Sequence, residues 1–166
     1  MWCNPQVVTT YHPQPTVISS TGHYSYTGRY DYTGTRDYTA FYALPAAIDY
    51  IENKLGGFQA MQNYNKKLLK EGCDYLVSSW NTSYLVSSEM TCFMSNVILP
   101  KCQNNDECNL LQKKLFDENN ISMIFGSVND INNNKIFFTR ISVQVYMEMN
   151  DFILLADNVK RLLEIK

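Results

Sequence analysis

The order of apolar patterns in residues 81–166 most constrains the fold of this chain. Runs rich in β-branched and aromatic residues predict strands at 91–99, 121–128 and 135–143. The Asn132-Asn133-Asn134 turn predicts a hairpin between the last two, because Asn tolerates left-handed backbone. Helical spacing predicts one helix that starts at Asn105 and a last helix capped by Asn150. This order predicts an α+β domain, with an antiparallel sheet of about three strands and helices on one face.

Residues 37–80 have the apolar spacing of two helices. In the first, Asp37 or Thr39 is the expected N-cap, Pro45 is expected to lie in the first turn or at a kink, and Gly56-Gly57 is expected to end the helix. The stripe of the second helix consists of Phe58, Met61, Asn65, Leu68, Gly72 and Leu76. Its outer side carries Lys66, Lys67 and Lys70. Such a run is more typical of a solvated helix face than of a binding patch.

Residues 1–36 show no helical period. Residues 14–20 are compatible with one short strand. Short Tyr-Thr-Gly copies follow, and they predict a loop whose aromatic rings attach it to a surface. We therefore expect three parts, residues 1–36, a helical linker at 37–80 and a small domain at 81–166.

Charge and cysteine spacing exclude several classes of function. A net charge of −2 argues against nucleic-acid partners, which require a basic surface. No apolar run reaches the roughly 20 residues of a membrane helix, so no membrane partner is expected. The five cysteines are widely spaced and lack a His companion, so no metal site is expected. The first ten residues have no export signal, which predicts a cytoplasmic protein with reduced thiols.

Gly34 and Thr35 form a candidate anion site where the glycine-rich loop meets the first predicted helix. Backbone N–H groups at a helix start favour anions, and a Thr hydroxyl adds a donor. The alternative is a plain helix cap, in which Asp37 bonds the first turn of its own helix. A single Gly-Thr pair is a weak signal, so the residues alone favour the cap.

Arg140 is the second candidate, because it lies inside an otherwise apolar predicted strand. Alternation places it on the same face as Ile136 and Phe138. A buried Arg requires a partner, and a carboxylate bound through two hydrogen bonds suits it best. The alternative is an edge-strand Arg that reaches water or a surface acid such as Asp151.

Together these motifs resemble the class V aminotransferase family, and most closely its isopenicillin N epimerase-like branch. The matching runs are Tyr32-Thr33-Gly34-Thr35-Arg36-Asp37, Ala43-Leu44-Pro45-Ala46-Ala47-Ile48-Asp49-Tyr50-Ile51 and Arg140-Ile141-Ser142-Val143-Gln144-Val145-Tyr146 with Asp151. The resemblance extends from about residue 15 to residue 163, and two ordered motifs at the usual separation are more specific than either alone.

The resemblance implies the C-terminal small domain of a fold type I enzyme that depends on pyridoxal 5'-phosphate, preceded by linker helices and a Tyr/Gly-rich loop. Residues 1–36 would be a remnant of the large cofactor domain and active-site loop. It also implies a homodimer and an amino-acid substrate. Thr35, next to Gly34, matches the position that reaches the cofactor phosphate of the partner subunit. Arg140 matches the position that binds the substrate carboxylate. His23 could contact the substrate, but an ordinary loop histidine is the favoured interpretation.

The lysine that forms the Schiff base in that family lies upstream of the matching segment, next to a His. None of the lysines of this chain occupies that motif, so no catalytic residue is expected here and the chain alone is expected to be inactive. The leading hypothesis is the C-terminal fragment of an epimerase, transaminase or C–S lyase. The alternative is a non-catalytic module for dimerisation or carboxylate binding, and a third is an unrelated α+β binding domain.

Overall fold

A computed structural model describes residues 4–15, 17, 19, 25–32, 34 and 36–165. These residues form two compact units, one that ends at Ile48 and one that begins at Asp49. The helices are α1 (Pro5–Tyr11), α2 (Thr39–Lys54), α3 (Phe58–Trp80), α4 (Asn105–Asn119) and α5 (Met149–Leu162), with 3₁₀ turns at Thr27–Tyr30 and Ser88–Met90. The strands are β1 (Met94–Ile98), β2 (Phe125–Asn129) and β3 (Lys135–Ser142).

The first unit contains a short helix that the sequence pattern did not predict. Asn4 caps α1 by accepting a hydrogen bond from the N–H of Gln6, and proline begins the helix. Seven residues are too few to show a clear apolar period. Of residues 14–20, positions 14, 15, 17 and 19 are described and none is in a strand, while the others lie outside the described residues.

Tyrosine side chains contribute to the order of the following loop. The Tyr30 hydroxyl donates to the carbonyl oxygen of Pro13 at 2.7 Å, and the rings of Tyr26 and Tyr30 pack with their centroids 5.4 Å apart. The Arg29 guanidinium donates to the side chain of Gln14 at 2.7 Å. These contacts connect the loop to the residues that follow α1.

Helix α2 crosses the boundary between the two units. The Asp37 carboxylate accepts the backbone N–H of Thr39 at 2.9 Å, which confirms an acidic cap at this helix start. Pro45 lies in the second turn rather than the first. Gly56 and Gly57 end the helix as expected, with φ of +79° and +91°. No residue of α2 is buried.

The second unit contains a three-stranded antiparallel sheet in the order β1-β3-β2. The predicted hairpin is confirmed, with Phe125 opposite Thr139 and Asn129 opposite Lys135. The Asp130 carboxylate closes the turn by accepting the N–H groups of Asn132 and Asn134, each at 2.8 Å. The α+β architecture is therefore as predicted from the order of the patterns.

One face of the sheet packs into the core together with α3, α4 and α5. On β3, Phe137, Thr139 and Ile141 point into this core, as strand alternation requires. The helices contribute Leu68, Leu69, Cys73, Leu76, Trp80, Leu111, Leu115, Phe152, Ala156 and Val159. The buried indole N–H of Trp80 donates to the carbonyl of Ala156 at 3.2 Å and joins α3 to α5.

One helix start is as predicted and another differs from the expected residue. Helix α4 starts at Asn105 after its cap Asn104, and Asp106 and Glu107 occupy its first turn as predicted. Helix α5 begins at Met149 after Glu148, so Asn150 is not its cap. Glu148 and Asp151 form a reciprocal capping box, in which the side chain of each residue accepts the backbone N–H of the other. The two carboxylates together satisfy the backbone N–H groups of Glu148 and Asp151 at the start of the helix. The Asn150 side chain accepts neither of them.

Candidate functional site

Arg140 lies on the central strand of the sheet, opposite Asn96 of β1. Its side chain is on the face away from the core, between the half-buried Phe138 and the exposed Ser142. The predicted shared face with Ile136 and Phe138 is therefore correct. The edge position of the alternative is wrong, because β3 has a hydrogen-bonded neighbour on both sides. Its other part is correct, since the Arg140 side chain is exposed to water and is not the buried Arg that the apolar strand suggested.

The guanidinium of Arg140 has no ion pair or hydrogen bond to the described part of the chain. Asp151, the acid suggested as its surface partner, instead accepts the backbone N–H of Glu148 at 2.9 Å in the capping box of α5. An exposed Arg without an internal counter-ion retains all of its donors for a ligand. The arrangement suits an external anion with two acceptor oxygens.

The surroundings of Arg140 on this face are largely apolar. The ring of Phe138 covers Gly126 on β2, so that a Cβ at position 126 would lie 2.7 Å from the ring. Exposed or half-buried aliphatic side chains of the same face are Met94, Ile98, Ile124, Val128 and Ile136. Because apolar neighbours exclude water, they strengthen a charge-assisted hydrogen bond that forms beside them.

Gly34, the candidate contact for an anion, belongs to the first unit, whereas Arg140 belongs to the second. Gly34 has φ of +124°, a conformation that favours glycine, and no atom of another described residue, its chain neighbours aside, lies within 4 Å of a Cβ built on it. Its backbone is therefore open to close approach. Thr35 and His23 lie outside the described residues.

The start of α2 next to Gly34 is already occupied by an acid. The Asp37 carboxylate accepts both the N–H and the hydroxyl of Thr39, and these two hydrogen bonds lower the pKa of Asp37. The N–H of Thr39 is consequently not available to an external anion. The cap interpretation holds for Asp37, and an anion near Gly34 would bind the loop rather than the first turn.

The described lysines do not fit a covalent site for pyridoxal phosphate. Those with exposed side chains are Lys54, Lys66, Lys67, Lys70, Lys101, Lys113, Lys114 and Lys135, and Lys160 is half-buried on α5. Lys70 and Lys113 form i,i+4 ion pairs with Asp74 and Asp117. A Schiff-base lysine requires a closed site that lowers its pKa and holds the cofactor ring, and none of these positions provides one.

A cleft of about 390 Å³ lies between α3 and the segment that leads into β1. It is lined by Lys66, Lys67, Leu69, Lys70, Tyr84, Ser88, Glu89, Thr91, Cys92 and Ser95. The sequence pattern placed the lysines on a solvated helix face, and their charged ends are exposed. The sequence pattern did not show that residues 84–95 lie opposite these lysines, because their proximity depends on the tertiary contact between α3 and β1.

No protein-family model matches this chain, and no curated protein is significantly similar to it. None of the described helices is long and apolar enough to cross a membrane. Within the described ranges there is also no cluster of three or more His, Cys, Asp or Glu side chains that would hold a metal ion.

Proposed function

We propose that this chain is the C-terminal portion of a pyridoxal-phosphate-dependent enzyme of the class V aminotransferase type, in which Arg140 binds the carboxylate of an amino-acid substrate. The observation that carries the proposal is the exposed guanidinium of Arg140, which has no counter-ion in the described part of the chain. No described residue of the second unit pairs with this cation, so a role in folding does not explain it.

Position on β3 makes Arg140 suitable for this role. The central strand is held on both sides, which fixes the backbone from which the side chain extends. The N–H of Arg140 donates to the carbonyl of Ile124 at 3.2 Å and anchors the residue itself. A rigid backbone reduces the entropy lost when the planar guanidinium binds both oxygens of a carboxylate.

Cofactor binding would be shared with residues that this chain does not provide by itself. Pyridoxal phosphate, when bound, supplies the electron sink for reactions at the amino-acid α-carbon. In the proposed homodimer, the open backbone at Gly34 and the hydroxyl of Thr35 would contact the phosphate of the partner subunit's cofactor. The described lysines do not fit covalent attachment, so no catalytic step is assigned to the chain.

A titration with a matched pair of ligands tests the role of Arg140. L-alanine and L-alaninamide differ in the carboxylate, so amide signals of residues 138–142 should shift saturably with L-alanine and much less with L-alaninamide. Arg140→Ala should abolish this difference, and Arg140→Lys should weaken it because Lys is a point charge. Lys135→Gln, at an exposed cation of the same strand, is the control and should bind like wild type. Equal responses of wild type and Arg140→Ala would overturn the assignment.

A second experiment tests whether the chain holds the cofactor covalently. Pyridoxal phosphate followed by borohydride should label exposed lysines unselectively, since none lies in a closed site. A stoichiometric adduct at one lysine would contradict this. A longer translation product with a His-Lys motif in frame before residue 1 would favour the enzyme portion over an independent module.

A non-catalytic dimerisation module is the second candidate, and α2 favours it. The helix has 16 residues and none of them is buried, although Phe41, Leu44 and Ile48 are large and exposed on one side of it. Isolated helices of this length are marginal, so α2 is expected to pack against a partner. Leu44→Asp should yield a monomer by light scattering. Ala46→Asp adds the same charge about 200° away around the helix and should leave a dimer. A wild-type monomer at all concentrations would exclude this candidate.

A further inference from the structure

The two edges of the three-stranded sheet differ in whether another segment pairs with them. Beside β1, the N–H of Leu85 donates to the carbonyl of Asn96 at 2.9 Å, and the N–H of Ile98 donates to the carbonyl of Ser83 at 3.0 Å. Residues 83–85 therefore cover that edge. Strand β2 forms the other edge, and no described segment pairs with its outer side.

The hairpin register shows which backbone groups of β2 point outward. At the turn, the N–H of Asp130 donates to the carbonyl of Asn134 at 2.9 Å. Because hydrogen-bonded positions recur at every second residue of an antiparallel pair, the even-numbered residues of β2 face β3. The odd-numbered residues, Phe125, Ser127 and Asn129, therefore present their N–H and carbonyl groups at the open edge.

This open edge lacks the features that keep a strand from pairing with another chain. Residues 125–129 include no charged residue and no proline, and they pair with β3 one to one, without a bulge. Natural edge strands usually carry a lysine, a proline or a bulge for that purpose. Ser127 and Asn129 are exposed, so no described helix covers this part of the strand. The edge is therefore available to a further strand.

Apolar side chains lie beside the free backbone groups. Ile131 at the tip of the turn is fully exposed, and Ile124 and Val128 are exposed on the same side of the sheet as each other. No charged residue occurs in residues 121–129. A partner strand that is itself uncharged and apolar therefore suits this edge best, and β2 of another copy has that character.

We propose that β2 pairs with β2 of a second copy of this chain in antiparallel orientation, which joins the two sheets into one continuous sheet. A two-fold axis at Ser127 places this residue opposite Ser127 of the second copy, and Phe125 opposite Asn129 of the second copy. Each of these residue pairs exchanges two backbone hydrogen bonds, so every free group of the edge is satisfied. The contact is closed, because the same edge is used on both copies.

Side chains beyond the strand fit the same register. Asp130 lies opposite Ile124 of the second copy, so no like charges meet across the contact. The exposed side chain of Ile131 lies next to this Ile124 and is removed from water. A strand added at the edge extends the sheet in its own plane, so the face that carries Arg140 stays open.

A contact between two five-residue strands is small, so the dimer should form only in concentrated solution. Hydrogen exchange observed by NMR tests it at the atoms involved. The amides of Phe125, Ser127 and Asn129 should exchange freely in dilute solution and become protected on concentration. Wild type and Leu44→Asp, which removes any contact through α2, should respond alike. Unchanged exchange up to the solubility limit would overturn the proposal and would leave the roles of Arg140 and α2 untouched.

Two substitutions at the axis then separate backbone pairing from side-chain contact. Ser127→Pro removes the outward N–H, and it should fold because this N–H bonds no described residue and proline is tolerated at such edge positions. It should abolish the protection at Phe125 and Asn129, whereas Ser127→Ala keeps the N–H and should behave like wild type. Equal protection in the two variants would contradict the pairing.

A second pair of variants leaves the backbone of β2 intact. Ile131→Ser should weaken the concentration-dependent protection, because it removes the apolar contact at the tip of the turn. Asn132→Ser changes the next residue of the same turn and should not. Identical behaviour of these two variants would exclude the side-chain contact and the proposed register with it.

Cysteines introduced on β2 test the position of the axis. The Cα atoms of a hydrogen-bonded pair are about 5.5 Å apart, which suits a disulfide. Mild oxidation of Ser127→Cys should therefore link the introduced cysteines of two copies, as identified by peptide mass spectrometry. Asn129→Cys is the matched control, since its Cα would lie about 15 Å from its counterpart. Equal yields at the two positions, or no link at 127, would overturn the proposal.

Discussion

The ring of Phe152 on α5 lies directly against the backbone of Gly72 on α3. A Cβ at position 72 would lie 2.3 Å from two ring carbons, closer than any real contact allows. Both residues are buried, so neither has room to move. The absence of a side chain at residue 72 therefore sets how closely these two helices pack.

Gly72→Ala should destabilise the fold by about 2 kcal/mol, since overpacking a filled core forces side chains from their preferred rotamers. Helix propensity alone favours Ala over Gly by about 1 kcal/mol and predicts the opposite sign. Urea denaturation followed by circular dichroism measures the difference.

The double variant Gly72→Ala with Phe152→Leu is the matched control. A smaller side chain at residue 152 leaves space for the new methyl group, so the double variant should be more stable than the sum of the two single effects predicts. Strict additivity would show that the ring of Phe152 is not the obstacle.

Asp74 should contribute to stability in a pH-dependent manner. Hydrogen bonds from Lys70 and Tyr84 lower the pKa of Asp74 in the folded chain. A lowered folded-state pKa means that the stabilisation is complete at neutral pH and is lost as the pH falls below about 4. Because the side chain is 48% exposed, Asp74→Asn should cost less than about 1 kcal/mol at neutral pH.

Asp117→Asn is the comparison for this prediction, because Asp117 pairs with Lys113 at the same i,i+4 spacing and has no tyrosine partner in the described chain. It should have a smaller effect than Asp74→Asn. Urea unfolding at several pH values should show both variants converge with wild type in acid. A loss at Asp74 that persists at low pH would assign the effect to packing.

Substitutions at two neighbouring residues of β3 should change the stability of the fold by different amounts. Arg140→Gln should change stability by less than about 0.5 kcal/mol, as expected for an exposed side chain without a described partner. Thr139 is fully buried, and its hydroxyl donates to the carbonyl of Ile124 at 3.0 Å. Thr139→Val should therefore cost about 1 kcal/mol. A large loss of thermal stability in Arg140→Gln would show that this Arg supports the fold.

The described cysteines should differ in their reaction with iodoacetamide at pH 8. Cys92 is exposed, whereas burial raises the pKa of both Cys73 and Cys102 to about 12. Since the thiolate is the reactive form, peptide mass spectrometry should find Cys92 alkylated on the order of a hundredfold faster. All of these sites should react once the chain is unfolded in urea. Rapid native labelling of Cys73 would indicate that the contact between α3 and β1 opens frequently.

Local patterns predicted the elements of the second unit well, because its strands and helices are amphipathic. The turn at 132–134 joined two alternating runs, and the structure pairs them as β2 and β3. Helix α1 was missed because seven residues do not establish a period. The start of α5 was displaced because Glu148 and Asp151 cap it together, and a reciprocal pair is less evident than a single Asn.

Alternation in the sequence determined which face of β3 carries Arg140, since side chains on a strand must alternate. Only the tertiary structure decided that β3 is the central strand, because strand order depends on long-range pairing. The same holds for Ser95 and the lysines of α3, which are about 30 residues apart in sequence and meet at one cleft through helix-on-sheet packing. Residue types and spacing fix local conformation, but the surfaces at which a ligand binds arise from contacts between distant segments.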